Sequence, residues 1–273
     1  MAEKSRSILH VNAADIAGGA EKAALDLFQA CRARGHGAWL AVGDKRGGDP
    51  DVLALNMNCG VRAARILRAI LNRVAPLSWK DRGIGRLLKY LHWIEQPKSR
   101  LEVKLGHEDF EFPRSGRLLQ LPPARPDIIH CHNLHGGYFD LRALSRLSRQ
   151  VPVVLTLHDA WLLGGHCAHS FGCERWKTGC GNCPDLGIYP ALRRDGTAYN
   201  WRRKKYIYAR SRLYVTTPSQ WLMRKVEQSN LTAGIVKARV IANGVDLSVF
   251  RPGNKRAARA FLGIPPDARV LLF

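Results

Sequence analysis

Short apolar segments alternate with segments of helical periodicity along most of the chain. The apolar, strand-like segments lie at 7–12, 38–42, 52–55, 127–132, 151–157, 213–217 and 239–241. Helical patterns follow two of them, one ending near Gly35 and one at 141–149. Because parallel strands need crossover helices between them, this alternation predicts an α/β fold. Right-handed crossovers then give a Rossmann-like, doubly wound parallel sheet with helices on both faces.

Residues 60–120 interrupt this alternation with a basic helical insertion that carries no strand pattern. On a helical wheel the apolar residues of its first part share one side, and the arginines share the other. The apolar side comprises Ile66, Leu67, Ile70, Leu71 and Val74, and the basic side Arg62, Arg65, Arg68 and Arg73. Such a helix is typical of an element on an anionic membrane surface. A helix packed on the sheet with a solvated arginine face is the alternative.

The charge of the chain is strongly positive and is concentrated in two segments. Lys and Arg number 43 against 22 Asp and Glu, a net charge of +21. Segment 61–105 contributes +8 and segment 193–212 contributes +7. Patches of this kind attract phosphate on a nucleotide, a nucleic acid or an anionic membrane.

No apolar run approaches the roughly 20 residues of a membrane-spanning helix, and the N-terminus lacks the pattern of a signal peptide. We therefore expect a cytoplasmic protein, with peripheral attachment to the inner face of the cell membrane as a further expectation.

A second insertion, residues 164–184, is rich in cysteine. Its segment HCAHSFGCERWKTGCGNCP holds four of the seven cysteines, namely Cys167, Cys173, Cys180 and Cys183. Four thiolates suit a tetrahedral structural zinc, and His166 or His169 can substitute for one of them. An iron–sulfur cluster, reduced free thiols and disulfides are the alternatives, although disulfides are rare in the cytoplasm. An ion would order a loop that has few aliphatic residues of its own.

Five motifs follow one another in a fixed order: AGGAEKAALDL, RPDIIHCHNLHGGYF, VPVVLTLHDAW, TTPSQWL and VIANGVDLSVFRP. Together they resemble the N-terminal half of retaining glycosyltransferases of the GT-B fold, in glycosyltransferase family 4. The combination with the cysteine-rich insertion is most similar to members that build bacterial surface polysaccharides. In members with this insertion four such cysteines recur, which agrees with a structural metal.

The resemblance implies roles for the residues at the ends of strands. His158 and Asp159 directly follow segment 151–157, where the carboxyl ends of strands border the ligand crevice. In the family this histidine lines the cleft near the transferred sugar and the acceptor, so we expect both residues to be catalytic. Hydrogen bonding or stabilisation of the transition state fits His158, because the leaving diphosphate can take the acceptor proton. A strand-end histidine that bonds a backbone carbonyl is the alternative.

Two further groups are expected to bind the donor. Gly18 and Gly19 lie between a strand and a helix start, where backbone amides can approach a phosphate. A tight strand-to-helix turn is the alternative for them. Asn243, Gly244 and Asp246 are expected at the interdomain face before the hinge, where family members close on the donor.

Other polar residues are interpreted as structural. His130 and His132 share a strand face, but His135 follows across a turn, which argues against a metal site. The resemblance implies that the three line the cleft, as similar residues do in the family. Cys131, which alternates with these histidines, is predicted to be a small core residue. Ser219 is predicted to cap the helix that follows it.

The function implied by the resemblance is that of a retaining hexosyltransferase. It would transfer a sugar from a nucleotide-sugar to a lipid-linked glycan in surface polysaccharide biosynthesis. We expect residues 1–250 to form the acceptor-side domain, and 251–273 a linker and first strand of a truncated donor domain. The family's paired-glutamate donor motif is absent from these residues, which leaves the activity of this chain alone open.

Two alternatives come from other functional classes. A basic, zinc-stabilised nucleic-acid-binding protein agrees with the charge and the cysteines. However, the aromatic residues are not interleaved with basic ones, and the cysteine spacing fits no common finger. No nucleic-acid partner is therefore expected. A non-catalytic remnant that docks on membranes is the other alternative.

Overall fold

A computed structural model describes residues 5–55 and 97–271 of the chain. The seven predicted strands are all present: β1 Ser7–Ala14, β2 Gly37–Asp44, β3 Val52–Ala54, β4 Ile128–Cys131, β5 Val153–Thr156, β6 Leu213–Thr217 and β7 Ile235–Val240. Their positions agree with the sequence pattern, except that β7 begins at Ile235 rather than at 239.

The described residues contain helices between the strands. The α-helices are α1 Gly19–Ala33, α2 Pro97–Lys104, α3 Ala143–Leu147, α4 Thr197–Tyr208, α5 Gln220–Glu227 and α6 Lys255–Phe261. Short 3₁₀ helices lie at Pro113–Gln120, Trp161–Leu163, Arg175–Lys177 and Asn230–Gly234. The amphipathic helix predicted around 62–74 lies outside the described residues. The predicted cap is confirmed, because Ser219 Oγ accepts a hydrogen bond from the Leu222 amide at 3.3 Å.

The strands form one parallel sheet in the order β3-β2-β1-β4-β5-β6-β7. The chain runs outward from β1 to β3, then returns to the centre to place β4 beside β1. This reversal makes the β1/β4 junction the switch point of a doubly wound sheet, where ligands of such folds bind. The structure thus confirms the predicted Rossmann-like α/β class.

Alternating side chains of the strands divide the core between the two faces of the sheet. One face packs Leu9 and Val11 of β1 with Cys131 of β4, so Cys131 is a core residue as predicted. The opposite face packs Leu40 and Val42 of β2 against α1. Residues 10, 12, 130 and 132 therefore project on the side away from Leu9 and Val11.

The chain divides into two compact units, Met1–Ala242 and Asn243–Phe273. In the second unit, Asn254 caps α6 by accepting a hydrogen bond from the Ala257 amide at 3.0 Å. Residues 268–271, where the sequence suggests a strand, are irregular. The Arg259 guanidinium binds the carbonyls of Pro265 and Ala268 at 2.6 and 2.7 Å, which ties this segment to α6. In the part of the chain described, no helix has the length and apolarity needed to cross a membrane.

Candidate active-site cleft

The loops that follow β1, β4 and β5 meet at the carboxyl edge of the sheet, on either side of the β1/β4 junction. They carry the glycine pair 18–19, the segment 132–137 and the residues His158 and Asp159. Segments distant in sequence come together here because the strand order places β4 beside β1 and β5 beside β4. The residues predicted to be catalytic thus lie at the switch point of the fold.

His158 is half-buried and pairs with a histidine from the neighbouring strand end. Its Nε2 lies 3.1 Å from Nδ1 of His132, and the two rings stack with centroids 5.4 Å apart. Burial lowers the pKa of His158, and the negative charges of Asp159 and Glu21 partly oppose this shift. His158 is therefore a neutral imidazole at pH 7, able to donate a proton from one nitrogen and accept one at the other.

Asp159 is held by two partners, an imidazole and a backbone amide. Its Oδ2 lies 2.7 Å from Nε2 of His135, and its Oδ1 accepts a hydrogen bond from the Trp161 amide at 2.9 Å. On the other side of the imidazole, the Tyr189 hydroxyl lies 3.4 Å from Nδ1 of His135. Asp159 thus orients His135, which sequence reasoning assigned to the cleft wall without a partner.

The carboxylate of Glu21 lies against the glycine-rich turn at the start of α1. Gly18 donates its amide to Glu21 Oε2 at 3.0 Å, and α1 begins at Gly19. A Cβ on Gly19 would meet no atom within 4 Å, so the turn is open at this position. Because Glu21 also acts on the pKa of His158, the turn and the predicted catalytic histidine belong to one electrostatic environment.

The predicted donor residues Asn243, Gly244 and Asp246 belong to the second compact unit and are exposed. Asp246 Oδ1 accepts hydrogen bonds from the amide and the hydroxyl of Ser248, at 2.9 and 2.6 Å. This local turn fixes the direction of the Asp246 carboxylate.

Three histidines of the sheet form a cluster beneath the cleft, named here the histidine array: His10, His130 and His132. Each offers a ring nitrogen, and these nitrogens all lie within 4.8 Å of one another. His10 of β1 is opposite His130 in the parallel register, and the rings of His130 and His132 stack at 4.5 Å. Sequence reasoning missed His10, and the matching patterns ILHVN and IIHCH were the signal that could have revealed it.

Burial makes the histidine array a group of neutral bases. It lowers the pKa of His10 to about 3 and that of His130 to about 4, and neighbouring imidazoles lower them further. The pKa of His132 is lowered in the same way. Both ring nitrogens of His10 and Nε2 of His132 are buried without a hydrogen-bond partner.

The cysteine-rich insertion is an irregular loop, and its four thiols are free. Cys183 Sγ lies 3.5 Å from Nε2 of His166, one of the predicted substitute ligands. Positive φ angles of 55° at Cys180 and 45° at Asn182 turn the CxxC segment back on itself. Among the described residues, a group of three ligand atoms within 4.8 Å of one another occurs at the histidine array and not at these cysteines.

The insertion is anchored to the domain by a fully buried lysine. Lys204 Nζ lies 2.8 Å from Glu108 Oε1 and donates to the carbonyls of Trp161 and Gly164, at 2.8 and 3.1 Å. The same ammonium lies 3.8 Å from the centroid of the Trp161 ring. Lys204 therefore fixes the segment between Asp159 and the first cysteine, an interaction that the sequence pattern did not indicate.

Comparisons with known proteins identify the family of the chain. The model of "Glycosyltransferase Family 4" matches residues 17–249. Over 136 residues the chain is 33% identical to WcaC of Escherichia coli (strain K12), a predicted colanic acid biosynthesis glycosyl transferase. Over 152 residues it is 32% identical to the D-inositol 3-phosphate glycosyltransferase of Mycobacterium bovis (strain BCG / Pasteur 1173P2).

These alignments cover 46% and 55% of this chain, but 33% and 26% of the two relatives. The chain thus spans about a third or less of the curated relatives that it matches. A solved glycosyltransferase from Rickettsia africae ESF-5 covers 97% of this chain and 51% of its own, at 11% identity and a TM-score of 0.39. That likeness is too weak to carry an argument, whereas the family model matches most of the chain. The chain therefore belongs to glycosyltransferase family 4.

Proposed function

We propose that this chain is the acceptor-side half of a retaining glycosyltransferase. The enzyme transfers a sugar from a nucleotide-sugar to a lipid-linked glycan during the synthesis of a bacterial surface polysaccharide. The observation that carries the proposal is the neutral His158 at the switch point of a family 4 domain. The similarity to a protein named for colanic acid biosynthesis supports the polysaccharide acceptor.

His158 acts as a hydrogen-bonding group for the transferred sugar. Its Nε2 is engaged with His132, which leaves Nδ1 for a substrate hydroxyl or for the oxygen that gains charge in the transition state. A neutral imidazole suits this role, since a cationic one would attract the diphosphate and hold the product. The acceptor proton passes to the leaving diphosphate, so no protein base is required.

Asp159, His135 and Tyr189 form the acceptor side of the cleft. The carboxylate fixes the imidazole at 2.7 Å, and the tyrosine, which is exposed, extends the chain of polar groups outward. Hydroxyl and imidazole groups on a rigid support are well suited to glycan hydroxyls. Asp159 is thus a positioning residue that acts through His135.

A sugar-transfer assay tests the proposal. The chain joined to a family 4 donor domain is compared with the chain alone, using a radiolabelled nucleotide-sugar and a polyprenyl-diphosphate glycan. We expect transfer by the joined form and a roughly 100-fold lower kcat for His158→Gln, as for the loss of one transition-state hydrogen bond.

His36→Gln is the matched control, because His36 accepts a hydrogen bond from the Arg6 amide at the opposite edge of the sheet. Its kcat should remain that of the parent. Full activity of His158→Gln, or a joined form with no transfer to any glycan acceptor, would contradict the proposal.

The donor contacts complete this proposal. Gly18 and Gly19 lie at the start of α1, where the amides and the helix dipole favour a phosphate. Donor binding by Asn243, Gly244 and Asp246 of the second unit is a separate prediction from the sequence. Glu21 bonds the Gly18 amide in the structure, so a bound phosphate must displace this carboxylate. Glu21→Gln should lower the KM for the nucleotide-sugar, and an unchanged or higher KM would argue against phosphate binding here.

We also propose that the protein works at an anionic membrane surface, where lipid-linked acceptors lie. Segment 193–212 carries a net charge of +7, and Arg202, Lys205 and Arg210 of this segment are exposed. Sedimentation with phosphatidylglycerol vesicles should retain the chain at low salt and release it at high salt. Equal recovery with phosphatidylcholine vesicles would contradict membrane attraction by charge.

Finally, we propose that the four cysteines bind a structural zinc that braces the rim of the cleft. The donor set fits zinc, but the thiols must draw closer together to surround one ion, since sulfur lies about 2.3 Å from zinc. Metal analysis of the purified chain, beside Cys180→Ser/Cys183→Ser, tests the brace. Equal metal in both proteins would rule it out.

A further inference from the structure

The histidine array has the composition of a metal site and lies apart from the cysteines. His10 of β1 lies opposite His130 of β4 in the parallel register. His132 directly follows β4, where its amide donates a hydrogen bond to the Val11 carbonyl at 2.8 Å. The three ring centroids lie 4.5 to 6.0 Å apart. The position is set by strand register, so no loop has to order for the three donors to meet.

The array leaves buried nitrogen atoms without partners. His10 is 1% exposed, and neither of its ring nitrogens has a hydrogen-bond partner. His132 is 3% exposed, and its Nε2 is likewise unpaired. Buried polar atoms are nearly always paired, because each unpaired group retains the cost of its desolvation. A neutral imidazole has one lone-pair nitrogen, so a ligand that accepts lone pairs would satisfy one nitrogen of His10 and Nε2 of His132.

The remaining nitrogens have the partners that metal-bound histidines usually have. His132 Nδ1 lies 3.1 Å from Nε2 of His158. His130 Nε2 lies 2.7 Å from Oγ1 of Thr156, which itself contacts Thr216 Oγ1 at 2.6 Å. Metal-binding histidines donate their second N–H to such outer groups, which fixes the tautomer and aims the free nitrogen at the ion. Burial keeps these imidazoles neutral, which is the form that binds metals.

We propose that His10, His130 and His132 bind a divalent transition-metal ion of the zinc class through three ring nitrogens. Imidazole nitrogen suits such ions, and a Zn–N distance of about 2.0–2.1 Å places tetrahedral ligands roughly 3.3 Å apart. The rings therefore close inward from separations of up to 4.8 Å. Three imidazoles leave the fourth tetrahedral position to a water molecule. The ion joins β1 to β4 at the switch point and contacts His132, whose Nδ1 lies 3.1 Å from His158 Nε2.

Cobalt loading of a background that lacks two of the four loop cysteines tests this site. The chain carrying Cys180→Ser/Cys183→Ser, which removes half of the thiol donors, is equilibrated with Co²⁺ and desalted. Bound cobalt is then measured by mass spectrometry and by visible absorption. We expect about one cobalt per chain, with d–d bands and without the near-ultraviolet band of sulfur-to-cobalt charge transfer. His10→Phe in the same background should lose this cobalt at least tenfold.

The replacement His10→Phe keeps a ring against Phe28, whose ring lies 6.3 Å from that of His10. His36→Phe in the same background is the matched control and should keep its cobalt. Thermal unfolding of the parent background with and without Co²⁺ needs no histidine variant, and a bound ion should raise its Tm. No retained cobalt in the background, no rise in Tm, or undiminished cobalt in His10→Phe would each overturn the proposal. None of these readouts uses sugar transfer, so they are independent of the proposed activity.

Discussion

The histidine array and the cysteine-rich loop both gather metal-type donors, but the fold builds them in different ways. The array stands on β1 and β4, where the parallel register sets each side chain. The loop is irregular and is held by side-chain bonds to backbone groups. Arg175 binds the Gly181 carbonyl at 3.0 Å, and Asp195 binds the Cys183 amide at 2.7 Å. The histidine array is therefore positioned by the sheet. The cysteine-rich loop is positioned by local side-chain bonds to backbone groups, called clamps below.

This difference determines which substitutions and pH changes destabilise each cluster. His10 and His132 are buried, His130 is half-buried, and all three imidazoles are neutral. The stability of the fold at the array therefore depends on pH and on the presence of each ring. The thiols are half-buried, and burial raises the pKa of Cys180 to about 11, so this thiol is protonated at neutral pH. The loop responds instead to loss of its clamps. Three perturbations test this contrast.

The largest effect is expected from the buried clamp at the root of the loop. Lys204→Met should lower the free energy of unfolding by about 3–5 kcal/mol, because it leaves Glu108 buried without its cation. It also removes the donor to the carbonyls of Trp161 and Gly164. Urea unfolding followed by circular dichroism measures the change.

The double variant Lys204→Met/Glu108→Gln is the control for this loss. Removing both charges should recover more than half of the stability, since a buried pair replaced by neutral groups costs far less than a broken one. A double variant as unstable as Lys204→Met would mean that packing, rather than charge pairing, is what Lys204 contributes.

A smaller effect is expected from protonation of the array in metal-free protein. The folded pKa values of His10 and His130, about 3 and about 4, lie below the ordinary value of 6.5. The unfolded chain thus binds more protons below pH 6.5. Stability is full above that pH and falls as the pH drops toward the folded pKa values, by about 2 kcal/mol per histidine between pH 7 and 5.

The variant His10→Phe should reduce this acid loss by about 2 kcal/mol in urea titrations with a chelator present. Cys183→Ser should leave the loss unchanged, because the pKa of that thiol is raised further above this range by burial. Equal pH dependence in His10→Phe and the parent would show that the array does not carry the acid sensitivity.

The smallest effect is expected from the exposed clamp of the loop. Arg175→Met removes the bonds to the carbonyls of Gly181 and Asn182 and should cost about 1 kcal/mol or less. Amide exchange should accelerate at residues 179–183 and stay unchanged in β1 and β4. Lys177→Met, which breaks an exposed pair with Glu174 on the same turn, should leave exchange at 179–183 unaltered.

The sheet was predictable from the sequence because buried parallel strands are continuous apolar runs between turns. The predicted start of β7 was the least accurate strand boundary. This edge strand carries the exposed Lys237 and Arg239, so it lacks an apolar run. The positions of Gly18, Gly19, His158 and Asp159 at strand ends also follow from sequence, because motif and strand boundary coincide.

What the sequence could not supply was the pairing of distant side chains. His10 meets His130 only because β4 returns to the side of β1, and strand order is not written in local periodicity. Lys204 lies in a run of basic residues that indicates a solvated face, yet it is fully buried beside Glu108. Contacts of this kind depend on tertiary packing, which overrides the local pattern.

The central position of β1 and β4 has a consequence for folding during synthesis. The Ser7 amide binds the Asp127 carboxylate at 2.9 Å across 120 residues of chain. During synthesis β1 can pair with β2, and β2 with β3, before β4 leaves the ribosome, but the other edge of β1 stays unpaired until then. Until β4 is synthesised, the exposed edge of β1 can pair with another chain, and chaperones bind such surfaces. The cleft and the histidine array thus lie at the β1/β4 junction, where the strands synthesised first pair with those synthesised last.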